Sequence, residues 1–116
     1  MPKKRRHPRG KTEHRHVRVY HWVMKSVAWR DLTPNARALL IQLYALYNSA
    51  NNGQLYLSVR KAAADINVSK NTALKAFREL EEHGFIRVAQ QGSFHLKSRH
   101  ATTWILTEFP YANALP

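Results

Sequence analysis

The sequence predicts a small α+β domain with three main helices and a short antiparallel sheet, preceded by a disordered basic arm. Three observations support this prediction. Hydrophobic residues make up 44% of the 116 residues, which is enough for one compact core. Apolar residues recur at helical spacing in three segments, and each segment follows a Ser or Thr that could cap a helix. Alternating apolar residues in the C-terminal third predict two strands.

Positive charge is concentrated at the N-terminal end. The chain has 19 Lys and Arg against 7 Asp and Glu, a formal net charge of +12 at pH 7. Residues 1–16 hold seven of the basic side chains and no large apolar residue beyond Met1. Such a segment cannot bury a core, so we expect a disordered arm over residues 1–16. The arm could bind nucleic-acid phosphates or enter a minor groove, beginning with Lys3, Lys4, Arg5 and Arg6; the alternative is a solubilising tail.

The domain itself is expected to span residues 17–109, with a C-terminal tail over residues 110–116. Its first apolar stretch, residues 17–29, predicts an extended lead-in and a short helix. The apolar residues at helical spacing in this stretch are Tyr20, Met24, Val27 and Ala28.

The first main helix is expected to begin at Pro34, with Thr33 as its N-cap, and to run through Asn48. Its broad apolar face would consist of Leu39, Leu40, Leu43, Leu46 and Tyr47. The sequence Asn-Asn-Gly at 51–53 ends this element, and residues 54–57 alternate like a short strand.

Two further helices are separated by only three residues. Ser58 can cap a helix over residues 59–66, whose run of three alanines permits close packing, and Ser69 can cap a helix over residues 70–83. The buried stripe of this last helix would be Ala73, Ala76, Phe77 and Leu80, with Gly84 ending it in the left-handed conformation. Strands over 85–90 and 101–109 would flank a polar loop. This order of elements is that of a winged helix-turn-helix domain.

The turn and the last helix carry a recognisable pattern: a hydrophobic residue, Ser, Lys, any residue and Thr, then Ala and Leu at helical spacing, then Gly. It consists of Val68, Ser69, Lys70, Thr72, Ala76, Leu80 and Gly84. With this pattern, and with the basic Arg60 that opens the preceding helix, residues 58–94 resemble the DNA-binding half of GntR-type winged-helix repressors. The resemblance implies a winged-helix fold and double-stranded DNA as the partner.

The chain departs from the GntR-type pattern at two positions. Asn67 stands at a turn position that is usually Gly, which is tolerable because Asn adopts the left-handed conformation readily. Leu74 stands where those repressors often have a basic residue, and the sequence leaves open whether it contacts a thymine methyl or packs inward. More loosely, residues 21–53 look like helix-turn-helix proteins carried by phages, plasmids and bacterial chromosomes, which implies mobile-element biology.

A helix-turn-helix places the start of its second helix in the major groove. The short polar and basic side chains at that start are Ser69, Lys70, Asn71, Thr72 and, one turn later, Lys75. Asn71 could form a bidentate pair with adenine, while Ser69 and Thr72 are expected to donate to phosphates.

Charge along this helix opposes the preference of the helix dipole, because basic residues come first and acidic residues last. A basic start that faces DNA would explain the order. The alternative is a solvated helix with ion pairs between Lys75 and Glu79 and between Arg78 and Glu82.

The loop over residues 91–100 is the predicted wing. Its candidates for phosphate or minor-groove contacts are Gly92, Lys97 and Arg99. A plain solvated turn is the alternative for each of them.

Other site types are not expected. The chain has no cysteine, and no nucleophile motif, phosphate loop or carboxylate pair is found, so we expect neither an enzyme nor a cofactor. His14 and His16 lie in the predicted arm, so we expect no metal site. Trp22, Trp29 and Trp104 are interpreted as core residues.

These patterns together favour a sequence-specific double-stranded DNA-binding protein, a regulator of transcription or of a mobile element. The alternatives are a replication-initiation or recombination accessory factor, an RNA- or ribosome-binding protein, and a protein-contact domain with a nonspecific arm. We expect a bacterial cytoplasmic, nucleoid-associated protein with no signal peptide and no small-molecule ligand. It could act as a homodimer or as several copies on repeated sites, with contacts through residues 20–29 or 38–47.

Overall fold

The computed structural model describes residues 14–90 and 101–111. In chain order the elements are α1 (His21–Met24), α2 (Val27–Arg30), α3 (Pro34–Leu46), α4 (Val59–Ile66), α5 (Lys70–Glu82), β1 (Ile86–Gln90) and β2 (Thr103–Leu106). The two strands pair antiparallel, so the α+β class and the winged helix-turn-helix order are confirmed. The predicted wing, nearly all of the predicted arm and most of the predicted tail lie outside the described residues.

Helix α3 forms the centre of the domain. Thr33 is its N-cap and accepts a hydrogen bond from the backbone N–H of Ala36, and proline occupies its first turn, as the sequence predicts. The helix ends at Leu46, two residues before the predicted end, because Tyr47 is in an extended conformation. Three of its leucines are fully buried: Leu39, Leu40 and Leu43.

Helices α4 and α5 form the helix-turn-helix. Ser58 and Ser69 cap them, each accepting a hydrogen bond from a backbone N–H three residues later. Asn67 ends α4 with a φ of 60°, the left-handed conformation that asparagine tolerates. The backbone N–H of Val68 then donates to the carbonyl of Ala63 at 2.9 Å. These bonds set the angle at which the chain leaves α4 and begins α5.

Small side chains allow α5 to approach the other helices closely. Ala73, Ala76, Phe77 and Leu80 are buried, which confirms the predicted stripe, and α5 packs against both α3 and α4. Helix α4 contributes two more alanines, Ala62 and Ala63, to the same core. Gly84 follows the helix with a φ of 83°, as predicted.

The sheet lies beside α5 and is connected to it by an aromatic pair. Trp104 of β2 is opposite Val88 of β1, and its ring stacks on Phe77 with the centroids 5.4 Å apart. On the other side of β2, the N–H of Trp104 donates to the carbonyl of Leu55 at 2.8 Å. The strand predicted over residues 54–57 is therefore reduced to a single bridge at Leu55.

The side chain of Asn52 connects the turn after α3 to the end of β2. Its amide nitrogen donates to the carbonyls of Leu106, Phe109 and Pro110, and its amide oxygen accepts from the N–H of Leu106. Asn52 thus supplies the hydrogen bonds that a longer third strand would have made here.

The predicted short helix between residues 17 and 29 is wrong in detail. Ser26 caps α2 by accepting from the N–H of Trp29, and its hydroxyl donates to the carbonyl of Val23, so two one-turn helices form instead of one. This break changes the helical phase and leaves Tyr20, Met24 and Val27 exposed.

The three tryptophans differ in burial. The side chain of Trp22 is 65% exposed, so its interpretation as a core residue is wrong. Trp29 is half-buried and packs edge-on against Phe85, and Trp104 is buried as predicted.

We expect Trp104→Ala to lower the free energy of unfolding by about 3–5 kcal/mol, because it removes a large buried ring and its stack on Phe77. Trp22→Ala is the matched control and should change that free energy by about 0.5 kcal/mol or less. Urea unfolding followed by circular dichroism measures both. Equal losses for the two variants would contradict the burial described above.

Candidate nucleic-acid interface

The exposed face of α5 is basic and polar from Lys70 to Arg78, and it ends in two exposed acidic residues, Glu81 and Glu82. Opposite its buried stripe, the helix exposes Lys70, Asn71, Leu74, Lys75 and Arg78. A helix with 3.6 residues per turn separates these positions from the alanines that pack inward. Of the side chains predicted to contact bases or phosphates, Lys70, Asn71 and Lys75 therefore lie on this face, whereas Thr72 is half-buried beside it.

The two hydroxyls at the start of α5 have different roles. Ser69 accepts from the backbone N–H of Thr72 at 3.1 Å, and its own hydroxyl donates to Oγ1 of Thr72 at 3.0 Å. The donor of Ser69 is therefore used inside the cap. The hydroxyl proton of Thr72 is not needed for this bond, so Thr72 is the better of the two candidates for donating to a phosphate.

Helix α4 presents basic side chains at its first turn. Arg60 is exposed there. The neighbouring Lys61 forms an ion pair with Asp65 one turn later, with 3.2 Å between Nζ and Oδ1. Arg60, the residue that the sequence predicts for backbone contact, is thus the stronger candidate on this helix.

The acidic end of α5 has a structural role that the sequence analysis missed. The carboxylate of Glu79 accepts from the backbone N–H of Thr33 at 2.6 Å and from its hydroxyl at 2.8 Å. Thr33 is the N-cap of α3, where a negative charge is favoured by the helix dipole. Within residues 14–90 and 101–111, neither ion pair of the solvated-helix alternative, Lys75 with Glu79 or Arg78 with Glu82, is formed.

His83, the C-cap residue of α5, makes a second connection, to the C-cap of α2. One ring nitrogen lies 2.9 Å from the carbonyl of Glu79, and the other lies 3.1 Å from Oδ2 of Asp31. The hydrogen bond to Asp31, followed by the Glu79 carbonyl, raises the pKa of His83 above its usual value of 6.5. A positive charge here also suits the C-terminal end of α5.

Arg37 is a basic residue with a structural role. Its guanidinium donates to the backbone carbonyls of Trp29 and Arg30 and lies 5.5 Å from the centroid of the Trp29 ring. The bond to Arg30 satisfies a carbonyl at the C-terminal end of α2, and the bond to Trp29 adds to the one that the N–H of Leu32 donates to the same carbonyl. Arg37 therefore stabilises the junction of α2 and α3.

The remaining predicted contacts lie outside the described residues. They are Lys3, Lys4, Arg5 and Arg6 of the arm, and Gly92, Lys97 and Arg99 of the wing. In the part of the chain that the structure covers, no group of three or more His, Asp or Glu side chains could hold a metal ion. No helix in that part is long and apolar enough to cross a membrane.

Comparison with known proteins gives one match. A family model described as a helix-turn-helix domain matches residues 30–86, from the end of α2 to the first residue of β1. The match includes α3, α4 and α5, and a domain of this kind supports DNA binding. It does not test the likeness to GntR-type repressors. Neither the curated proteins nor the solved structures gave a match to this chain.

We expect Glu79→Ala to lower the free energy of unfolding by about 1–2 kcal/mol, because two donors at the start of α3 lose their charged acceptor. Glu82→Ala, in the same turn of α5, is the control and should change it by about 0.5 kcal/mol or less. Chemical denaturation of both variants measures the difference. If Lys75→Ala lowered the free energy of unfolding as much as Glu79→Ala, an ion pair between Lys75 and Glu79 would be supported instead.

The contact between His83 and Asp31 predicts a pH dependence of stability. Since the folded state raises the pKa of His83, the stabilisation is complete below pH 6.5 and is lost as the pH rises through the folded-state pKa. Thermal unfolding between pH 5.5 and 8.5 should therefore show a smaller decline for Asp31→Asn than for the wild type. Asp65→Asn, which breaks the ion pair with Lys61, should keep the wild-type decline. Identical profiles for Asp31→Asn and the wild type would contradict the assignment.

Proposed function

We propose that the protein is a sequence-specific DNA-binding regulator of transcription or of a mobile element, because residues 30–86 match the model of a helix-turn-helix domain. In this proposal α5 enters the major groove of double-stranded DNA, and α4 crosses the phosphate backbone. The observation that carries it is the group of basic and polar side chains from Lys70 to Arg78 on the exposed face of α5, opposite the stripe by which that helix is packed.

The side chains on this face match the chemistry of a major groove. Asn71 is exposed in the first turn and can pair with both N6 and N7 of adenine, a contact worth about 1–3 kcal/mol of discrimination. Lys70, Lys75 and Arg78 supply positive charge for phosphates or for the acceptor edge of guanine. The hydroxyl of Thr72 and the guanidinium of Arg60 are suited to phosphates on either side of the groove.

The electrostatics of α5 support the same orientation. Glu79 is directed to the start of α3, where Thr33 binds its carboxylate, and Asp31 contacts His83. These two acidic groups are therefore engaged within the domain. The other acidic residues of α5, Glu81 and Glu82, are exposed in its last turn, whereas its first half carries Lys70 and Lys75. A surface divided in this way attracts a polyanion to the N-terminal half of the helix.

Duplex DNA is favoured over RNA as the partner. The major groove of B-form DNA is about 12 Å wide and admits a helix, whereas that of A-form RNA is too narrow for side chains to reach the bases. The arm and the wing would add phosphate or minor-groove contacts. Each phosphate contact makes the affinity fall more steeply with salt, because it adds about −0.9 to the slope of log K against log salt concentration.

The test is selection from a random duplex library at near-physiological salt, with the wild type and Lys70→Ala/Asn71→Ala. We expect the wild type to enrich a motif and the double variant to lose it while keeping weak, salt-sensitive binding. Lys25→Ala/Gln54→Ala is the matched control, because it removes one exposed charge and one exposed amide elsewhere and should keep the motif. A motif retained by the α5 variant would contradict the role of this face.

Two further results of the same selection would show what the N-terminal arm contributes and how many copies of the protein bind. Deletion of residues 1–16 should lower the affinity and flatten its salt dependence while leaving the motif unchanged. A palindromic motif would indicate a dimeric regulator, whereas direct repeats would favour the replication or recombination role. Tight binding without any enriched motif would refute sequence-specific binding and would direct the selection to structured RNA.

A further inference from the structure

We propose that Leu74 contacts the C5 methyl group of a thymine in the major groove and thereby makes this protein selective for an A·T pair beside the adenine that Asn71 recognises. This inference rests on the proposed function and names a second specificity-determining residue of the same surface. No basic or hydrogen-bonding group is available at this position of α5, so the contact must be apolar.

The position of Leu74 on α5 carries the inference. At about 100° per residue, its side chain leaves the helix roughly 60° around the axis from Asn71 and roughly 40° from Arg78. Its side chain is 37% exposed, and it belongs to the same face as these two residues. Leu74 lies to one side of Asn71 and Arg78, near enough to contact a duplex that binds these two residues.

Packing within the domain does not explain Leu74. The inward side of α5 is formed by Ala73, Ala76, Phe77 and Leu80, all of which are buried in the core. A single exposed leucine on a protein surface is ordinary. Leu74 differs because it is flanked by the charged and amide side chains that would be buried against DNA.

Thymine supplies the matching group. In the major groove its C5 methyl is the apolar feature that distinguishes the base edges, whereas the other groups there are hydrogen-bond donors and acceptors. Leucine placed against those polar groups would remove them from water without a replacement bond, which is unfavourable. Leucine placed against a methyl group gains from the burial of both apolar surfaces.

The spacing along the helix limits where this thymine lies. Leu74 is about 4.5 Å further along the axis of α5 than Asn71. Successive bases of a strand are about 3.4 Å apart. The thymine is therefore expected within one or two base pairs of the adenine that Asn71 contacts.

The test removes only the methyl group. In the duplex enriched by the wild type, each thymine is replaced in turn by deoxyuridine, and the Kd is measured by fluorescence anisotropy. Loss of one buried methyl corresponds to about 0.8 kcal/mol, so one position should weaken wild-type binding about fourfold. Leu74→Ala should bind the thymine and deoxyuridine duplexes equally at that position.

Leu46→Ala is the matched control, because Leu46 has the same exposed fraction as Leu74 but lies on α3. It should keep the fourfold difference, and thermal unfolding should show both variants folded. If the wild type binds a specific site but no deoxyuridine weakens it, or if Leu74→Ala keeps the difference, this inference is wrong and the proposed function stands. If no duplex site is enriched at all, both are wrong.

Discussion

The close fit of the alanine stripe of α5 against α3 and α4 is the constraint on which the rest of the domain depends. Ala73 and Ala76 are buried where the helices meet, and Phe77 and Leu80 extend the contact toward the sheet. Alanine at the contact brings the helix axes close together and permits only one rotation of α5 about its own axis. That rotation determines which side chains the protein presents outward. A larger residue in the stripe would therefore alter the surface as well as the core.

Polar contacts at the C-terminal end of α5 complete its placement. Glu79 binds the N-cap of α3, and His83 connects the last turn to Asp31. An acidic residue near the C-terminal end of its own helix is unfavourable for that helix's dipole. Glu79 instead places its negative charge at the N-terminus of α3, where the dipole of α3 favours it. From the sequence, the order of charges along α5 has two explanations: a basic start that faces DNA, or ion pairs within the helix. The bond from Glu79 to Thr33 is a third explanation, and it is compatible with a DNA-facing first half.

Local signals in the sequence predicted the parts of this fold that local chemistry determines. Ser58, Ser69 and Thr33 are caps, and Asn67 adopts the expected left-handed conformation. The residues of the exposed face of α5 followed from the same periodicity that predicted its buried stripe. The contacts of Glu79 and Asn52 join residues about fifty positions apart and leave no periodic trace, so they could not be foreseen. The exposure of Trp22 was missed because α1 is a single turn that buries only Val23, and the adjacent Trp22 lies on another side of that turn.

The hydrogen bonds of Asn52 have a consequence for the order of folding. The helix-turn-helix is built from contacts between near neighbours in the chain, which form quickly because little loop entropy is lost. Asn52, in contrast, must meet backbone groups 54 to 58 residues away, at Leu106, Phe109 and Pro110. During synthesis these groups emerge from the ribosome after α5. We therefore expect the helices that present the basic face to assemble first, and β2 to dock late, when it brings Trp104 onto Phe77 and closes the core.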